Sequence, residues 1–500
     1  MSDINRHRSN IDEIDRKMAE LFQQRMEEVQ AVVQYKKENG LNVTDRSRER
    51  QVIEKHLPQI DEKWQKYYVR FMQDTFATSR QFQTEYLHQN ESMLKNEVDF
   101  SDYTDNAFKA AQRARQALKE GKPAINATIG SLYGSDNAIT AFKSVYDVYN
   151  AVSNRRKASY AGGIQGNADY NEAVFNWLNR LDNISLPHRS VATPGGTGAI
   201  CLPVFNCLNH RETLIIPEIA WGSYRLMARQ NECEVITYAM FENGKASING
   251  ITKVCREVMD QQHKVVIVIN DPCQNPTGIS LGSAKWEELI DFFNELSKDG
   301  EVVIINDIAY LDFARDCDRA TEYMAAFNKA DRKVTILIAF SCSKSLTAYG
   351  MRLGDLIILN KDPEKVSHLY NGFLRTARSF WSNVNNGFMD CFTVLMTEHQ
   401  SEYRAEKQRS ITELYERAQL FIKQAAECGL PLYPFREGFF ITLRIDEDIK
   451  QAYYERLMEN DIYCVVFPKG IRIAICSLPL EVIDGLAYRL ASILSEIRDH

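Results

Sequence analysis

Two textures of sequence meet near residue 90, and one kind of core cannot accommodate both. Residues 1 to about 90 contain a single glycine, Gly40, and a single proline, Pro58. With so few breakers, the segment reads as three helices: a long one ending near Gly40, a short one from about Arg46, and a long one from about Ile60. So thin a helical layer buries little by itself, which predicts pairing with a second copy. The stretch from His88 to Asp99, HQNESMLKNEVD, is polar with no periodic apolar face and reads as a linker. Beyond it, short apolar runs alternate with amphipathic helices: TLII from Thr213, VVIVIN from Val265, VVIIND from Val302 and VTILIAF from Val334. Continuous β-branched runs of this kind indicate a parallel sheet covered on both faces. The expected organisation is an all-α domain over 1–90, a linker over 91–100 and an α/β domain over 101–500.

Composition narrows the function classes. A formal net charge of -7 over 500 residues supplies no basic field, which argues against nucleic acid as a partner. No apolar run suits a signal peptide or a membrane span, so a cytoplasmic protein without membrane contact is expected. The 11 cysteines are scattered without a CxxC pair, favouring reduced thiols over disulfides or a metal site.

Chemistry appears where charge interrupts apolar faces. In the first helix the stripe Ile11, Ile14, Met18, Leu21 continues into Arg25, Glu28 and Val32. An unpaired guanidinium on a seam costs several kcal/mol, so an anion is expected opposite Arg25. Lys36 lies three turns on, at nearly the same angle. In the third helix the stripe Trp64, Tyr68, Met72, Thr75 ends in Ser79 and Gln83, and between the long helices Asp45, Arg48 and Glu49 stand at i, i+3 and i+4. Read alone, that last trio suits a solvated helix start; together with Arg8, Arg25, Lys36, Ser79 and Gln83 it suits a pocket for a small dianion bearing a hydroxyl.

Over essentially all of its 90 residues this module resembles the all-helical chorismate mutases. The resemblance rests on IDEIDRKMAELFQQRM, Lys36 in YKKENG, DRSRERQVIEKH, and Ser79 and Gln83 in ATSRQFQ. It implies a pericyclic rearrangement of chorismate to prephenate that uses positioning and electrostatics rather than a nucleophile. Lys36 and Gln83 would meet the breaking ether oxygen, Arg25 with Ser79 one carboxylate, and Glu49 the ring hydroxyl beside Asp45 and Arg48. Arg8, on another helix face, would serve the partner chain's site.

In the second module three apolar runs each end in functional groups: Asn275 in DPCQNPTG, Asp307 and Tyr310 in NDIAY, and Lys344 in SCSKSLTAYGMRLG. Ligands of open α/β sheets bind beyond the carboxyl ends of strands, so these side chains can share one site. From about Ile125 onward the order and spacing resemble the aspartate aminotransferase superfamily of fold type I, most closely at TPGGTGAI from Thr193. The resemblance implies a large domain over about 145–385, a small domain from about 101–144 and 386–500, a homodimer, and pyridoxal 5'-phosphate as cofactor. Lys344 would form the Schiff base and shuttle the proton, Asp307 would hold the pyridine nitrogen, and Asn275 and Tyr310 the phenolic oxygen. Gly195, Gly196, Thr197, Ser341 and Arg352 would bind the phosphate, with Tyr160 reaching it from the partner. Arg472 in KGIRIAICSLP would clamp the substrate α-carboxylate; Arg378 in RSFWSN would bind a second carboxylate or stand as a solvated surface arginine. The family's cofactor-stacking ring usually sits two residues after a proline; here Ile219 stands there, and Trp221 reads either as the stacking group or as an ordinary core tryptophan.

Together the modules predict a bifunctional enzyme of aromatic amino acid biosynthesis. It would make prephenate and transaminate prephenate, phenylpyruvate or 4-hydroxyphenylpyruvate with glutamate or aspartate as donor. The alternative is an aminotransferase of unrelated specificity, such as aspartate, dimerised or regulated by a ligand-sensing helical module. A transcription regulator on the same fold would need a basic helix-turn-helix that the carboxylate-rich first module does not supply.

Overall fold

The computed structural model describes residues 3–41, 45–88 and 106–498. The chain divides into two compact units, Met1–Asp102 and Tyr103–His500. The segment expected as a linker lies outside the described residues.

The first unit consists of helices Asp3–Asn39, Arg46–His56 and Glu62–His88. Gly40 takes φ +63° just past the first, the left-handed cap that glycine adopts without a Cβ penalty. The two long helices pack on each other through a seam containing Val33 and Phe76. Along the first helix the more enclosed positions are Arg25, Met26, Val29, Val33 and Lys36, so the inward face lies one residue round from the expected line through Glu28 and Val32, both of which are exposed. Ile11, Ile14, Met18 and Leu21 are exposed as well, and so is Trp64 at the start of the third-helix stripe. Helical periodicity found the apolar face; it could not say that one chain covers only the Arg25–Lys36 half.

The second unit is built on a seven-stranded sheet. In spatial order its strands are His188–Thr193, Gly354–Leu359, Val334–Ser341, Glu301–Asp307, Lys264–Asn270, Thr213–Pro217 and Glu234–Tyr238. All neighbours pair in parallel except Gly354–Leu359, which is antiparallel to both its flanking strands, so the sheet is mixed. Successive side chains feed opposite cores: Ile267, Ile304 and Ile338 pack on one face, Val266, Val303 and Leu337 on the other. Burial on both faces explains why these strands read as unbroken apolar runs. A smaller antiparallel sheet, Phe440–Leu443, Gly470–Ala474 and Val465–Phe467, carries Arg472 opposite Thr442 and Val465. None of the described helices is long and apolar enough to cross a membrane.

Candidate active sites

In the helical unit, the Arg25 guanidinium donates to Ser79 Oγ across the two long helices and lies 5.7 Å from the centre of the Phe76 ring. Burial lowers the Arg25 pKa from its ordinary value, with Glu49 opposing that shift. Ser79 is fixed by donating to Thr75 O at 2.8 Å. One turn on, Gln83 is buried, its Nε2 donates to Ser79 O at 3.3 Å, and its Oε1 has no hydrogen-bond partner among the described residues. A buried amide oxygen without a donor costs about 1–3 kcal/mol, which marks this spot as one awaiting a polar group. Lys36 is half-buried on the same side of the first helix as Arg25.

The middle helix departs from expectation. Asp45 is its N-cap, accepting from the Arg48 amide at 3.0 Å, and is exposed, as is the Arg48 side chain. Asp45 therefore satisfies a helix-end donor instead of lining a pocket, a role worth about 1 kcal/mol. Glu49 pairs with Arg80, a residue that sequence reasoning passed over. Arg80 follows Ser79 directly, and a cation adjoining two inward polar positions was the available signal. Arg8 is exposed, away from Arg25 and Ser79.

In the sheet unit one cavity of about 180 Å³ gathers Gly196, Thr197, Trp221, Tyr224, Asn270, Asn275, Asp307, Tyr310, Ser341, Ser343, Lys344, Tyr349 and Arg352. Strand ends supply it: Asn270, Asp307 and Ser341 are the last residues of three adjacent parallel strands. Register places Asn270 beside Asp307, and Asn270 Nδ2 donates to Asp307 O at 2.9 Å while its Oδ1 accepts from the Asn275 amide at 2.8 Å. Arg472 reaches over from the small sheet, donating to Asn275 Oδ1 at 3.3 Å and to Thr128 O at 2.7 Å, its guanidinium 4.2 Å from the Phe440 ring centre.

The electrostatics are set by burial. Desolvation pushes the Lys344 amine down to about 8, while its Nζ donates to Gly130 O at 3.3 Å. Burial raises the Asp307 carboxyl, opposed by donation from the Tyr224 hydroxyl and from the Ala309 amide at 3.0 Å. Tyr224, fully buried beneath Trp221 and edge-on to it with ring centres 5.5 Å apart, was missing from the sequence-based set. It stands at the start of the helix Ser223–Gln230, its amide donating to Trp221 O at 3.2 Å, and nothing in the spacing singles it out.

At the other end of the cavity a helix starts at Gly195, whose φ is +76°. A Cβ on Gly195 would lie 2.6 Å from Arg352 Nη2, and one on Gly196 would lie 3.1 Å from Ser341 Cβ. Arg352 is held there by Ser343 Oγ at 3.0 Å and Tyr349 O at 2.8 Å. Side-chain-free backbone at a helix start, under a fixed guanidinium, is chemistry suited to a phosphate. With an enclosed amine of lowered pKa and a buried carboxylate in the same cavity, the donor set fits pyridoxal phosphate.

Two expected residues stand apart. Arg378 is exposed near the end of helix Pro363–Phe380 and donates to Ser382 Oγ at 2.5 Å; it follows buried Ala377 on an amphipathic helix and so points away from the cavity in its own chain. Tyr160 is 85% exposed and lines no part of the cavity. Ile219, at the position where the family's ring usually stands, is core.

Comparison with known proteins agrees with this geometry. Residues 123–490 match aminotransferase class I and II, and residues 7–84 match chorismate mutase type II. An aspartate aminotransferase of Pseudomonas aeruginosa is 25% identical over 269 residues, 52% of this chain and 65% of the relative. An aromatic-amino-acid aminotransferase of Escherichia coli is 23% identical over 270 residues, 52% of this chain and 66% of the relative. The match thus spans slightly less than two thirds of these relatives' length. Among solved structures, an aminotransferase from Anaerococcus prevotii superposes with TM-score 0.77 at 30% identity, covering 80% of this chain and 99% of that one. An aromatic-amino-acid aminotransferase from Burkholderia pseudomallei, covalently bound to pyridoxal phosphate, superposes with TM-score 0.67 at 20% identity, over 81% and 100% of the two chains. The chain belongs to the pyridoxal phosphate-dependent class I and II aminotransferases and carries a chorismate mutase type II domain ahead of that fold.

Proposed function

We propose that the chain is a bifunctional enzyme of aromatic amino acid biosynthesis, which rearranges chorismate to prephenate and transaminates prephenate or an aromatic 2-oxo acid with glutamate or aspartate as donor. The observation that carries it is the presence in one chain of two polar sets: Arg25, Lys36, Ser79 and Gln83 on the long helices, and Lys344, Asp307 and Asn275 beyond the ends of the parallel strands, with Arg472 reaching Asn275 from the small sheet.

In the first reaction Arg25, held by Ser79, fixes a carboxylate of the dianion, and Lys36 and Gln83 stabilise charge developing on the ether oxygen. Glu49, steadied by Arg80, accepts from the ring hydroxyl, and Arg48 adds positive potential at the pocket mouth. In the second, bound pyridoxal phosphate supplies an electron sink for negative charge at the substrate α-carbon. Gly195, Gly196, Thr197, Ser341 and Arg352 would hold its phosphate, Asp307 its ring nitrogen, Asn275 and Tyr310 its phenolic oxygen, and Trp221 its face. Lys344 would anchor it and move the α-proton, a task suited to an amine whose pKa burial lowers to about 8. Arg472 binds the substrate α-carboxylate.

The protein acts as a cytoplasmic homodimer in this reading. A second copy would cover the exposed apolar residues Ile4, Ile11, Ile14, Met18, Leu21 and Phe22, and would receive Arg8 and Tyr160 at its own sites. Initial rates with prephenate, phenylpyruvate and 4-hydroxyphenylpyruvate as acceptors and glutamate or aspartate as donors test the assignment; exchange confined to aspartate and 2-oxoglutarate would overturn it. The names of the aspartate aminotransferase relatives favour a second reading, an aminotransferase of that specificity regulated by a sensing helical module. A chain that binds chorismate without ever rearranging it would support that reading.

A further inference from the structure

A second, larger cavity opens elsewhere in the aminotransferase unit. Its volume is about 540 Å³, within the range of small-molecule sites, and it shares no lining residue with the cofactor cavity. Its walls combine three aromatic rings, Phe241, Tyr433 and Phe435, with one acid, Glu218, and two cations, Arg444 and Lys469. Phe241 and Tyr433 lean together with centres 5.1 Å apart. Tyr433 sits between the opposite charges: Glu218 raises its hydroxyl pKa and Arg444 lowers it, on top of the larger effect of burial. The Tyr433 hydroxyl also donates to Lys469 O at 2.9 Å, fixing the turn that carries the second cation.

Aromatic walls with an anion and a pair of cations are the complement of one ligand class: a ring bearing both an ammonium and a carboxylate. We infer that this cavity is a second, non-catalytic site for a zwitterionic aromatic α-amino acid. Glu218 takes the ammonium, Arg444 and Lys469 take the carboxylate, and the ring lies among Phe241, Tyr433 and Phe435.

Two of the segments that line this cavity also lead in sequence or by backbone bonds to cofactor-cavity residues. Glu218 is followed by Ile219, whose carbonyl accepts from Gln274 Nε2 at 2.7 Å, and, after Ala220, by Trp221. On the other side Phe435 lies against Gly278, where a Cβ would come within 2.3 Å of its ring, and the Arg436 and Glu437 amides donate to Gly278 O at 2.9 and 3.0 Å. Gly278 is three residues beyond Asn275. An occupant therefore presses on the segments that bear Trp221 and Asn275, which gives it a handle on transamination.

Equilibrium dialysis of L-phenylalanine against the full chain tests the site. The chain should carry Arg472→Ala, to weaken carboxylate binding in the catalytic cavity. One saturable molecule per chain is expected. Adding Glu218→Gln, or Arg444→Gln with Lys469→Gln, should each weaken it about ten-fold, the loss of a charge-assisted contact. In the Glu218-intact chain, 3-phenylpropionate, which lacks the ammonium, should bind about ten-fold more weakly than L-phenylalanine. These three substitutions fall on solvent-accessible side chains, and unchanged thermal melting verifies the fold. No binding to the Arg472→Ala chain, or binding that survives either set of charge removals, overturns the inference.

Discussion

The two polar sites are built in opposite ways. The helical unit presents its polar groups as interruptions of apolar helix faces, and one chain leaves much of the apolar surface open: Ile11, Ile14, Met18 and Leu21 are exposed while Arg25 and Ser79 meet. The sheet unit places its groups at the ends of fully buried strands, where Asn270, Asp307 and Ser341 are fixed by register before any side chain is chosen. The first site thus depends on what packs beside it; the second depends on its own backbone. Burial lowers the pKa at both sites, opposed at Arg25 by Glu49 and carrying Lys344 to about 8.

Substitutions that disable one site while sparing the other probe this contrast most strongly. Lys344→Ala should abolish transamination and the cofactor's bound absorbance while mutase turnover stays within about two-fold; parallel loss of both would break the picture of separate sites. Arg25→Ala should lower mutase kcat/KM by about a hundred-fold or more, the usual cost of removing a preorganised donor, with transamination unchanged. Tyr224→Phe removes one of two donors to the buried Asp307 carboxylate. It should reduce transaminase kcat by about ten-fold, the loss of a hydrogen bond to a charged group, and shift the pH dependence of bound-cofactor absorbance, a spectroscopic change that simple loss of packing would not give.

The pH dependence sharpens the same contrast. Lys344 falls from the usual 10.5 to about 8 in the fold. Between those values the unfolded chain holds a proton that the folded chain has released, so this group's contribution to stability rises with pH across that window. In the cofactor-free chain, covalent capture of pyridoxal phosphate by Lys344 should therefore accelerate up to a plateau just above pH 8; a rate still climbing at pH 10 would mean an exposed amine. The smallest effect belongs to Asp45→Ala, which should destabilise the helical unit by about 1 kcal/mol in chemical denaturation and leave the chemistry nearly intact.

Legibility in the sequence followed the same divide. Strand runs ending in Asn275, Asp307 and Lys344 pointed to one cavity because strand periodicity and the carboxyl-end rule act locally. Gly195 and Gly196 were legible too, since close approach leaves no room for a Cβ. Tyr224 and Asn270 were missed because their roles are to hold Asp307 and Asn275, and a residue that acts through another leaves little trace in spacing. In the helical unit the period gave the helices, yet it set Val32 inward where Val33 is buried, and it grouped Asp45 with the pocket when its bond is to the backbone. A charged residue at a helix start serves cap and ligand equally well on paper. Arg378 illustrates a third limit: the sequence left a carboxylate-binding and a solvated surface Arg equally open, and within one chain the side chain is exposed.

The most direct test supplies the cofactor-loaded chain with chorismate and ¹⁵N-labelled glutamate or aspartate, alone and then with phenylpyruvate or 4-hydroxyphenylpyruvate added, and follows the label. A bifunctional enzyme should consume chorismate and place label in arogenate, or in phenylalanine or tyrosine once the 2-oxo acid is present. Chorismate left intact, or label exchanging only between aspartate and glutamate, would contradict it.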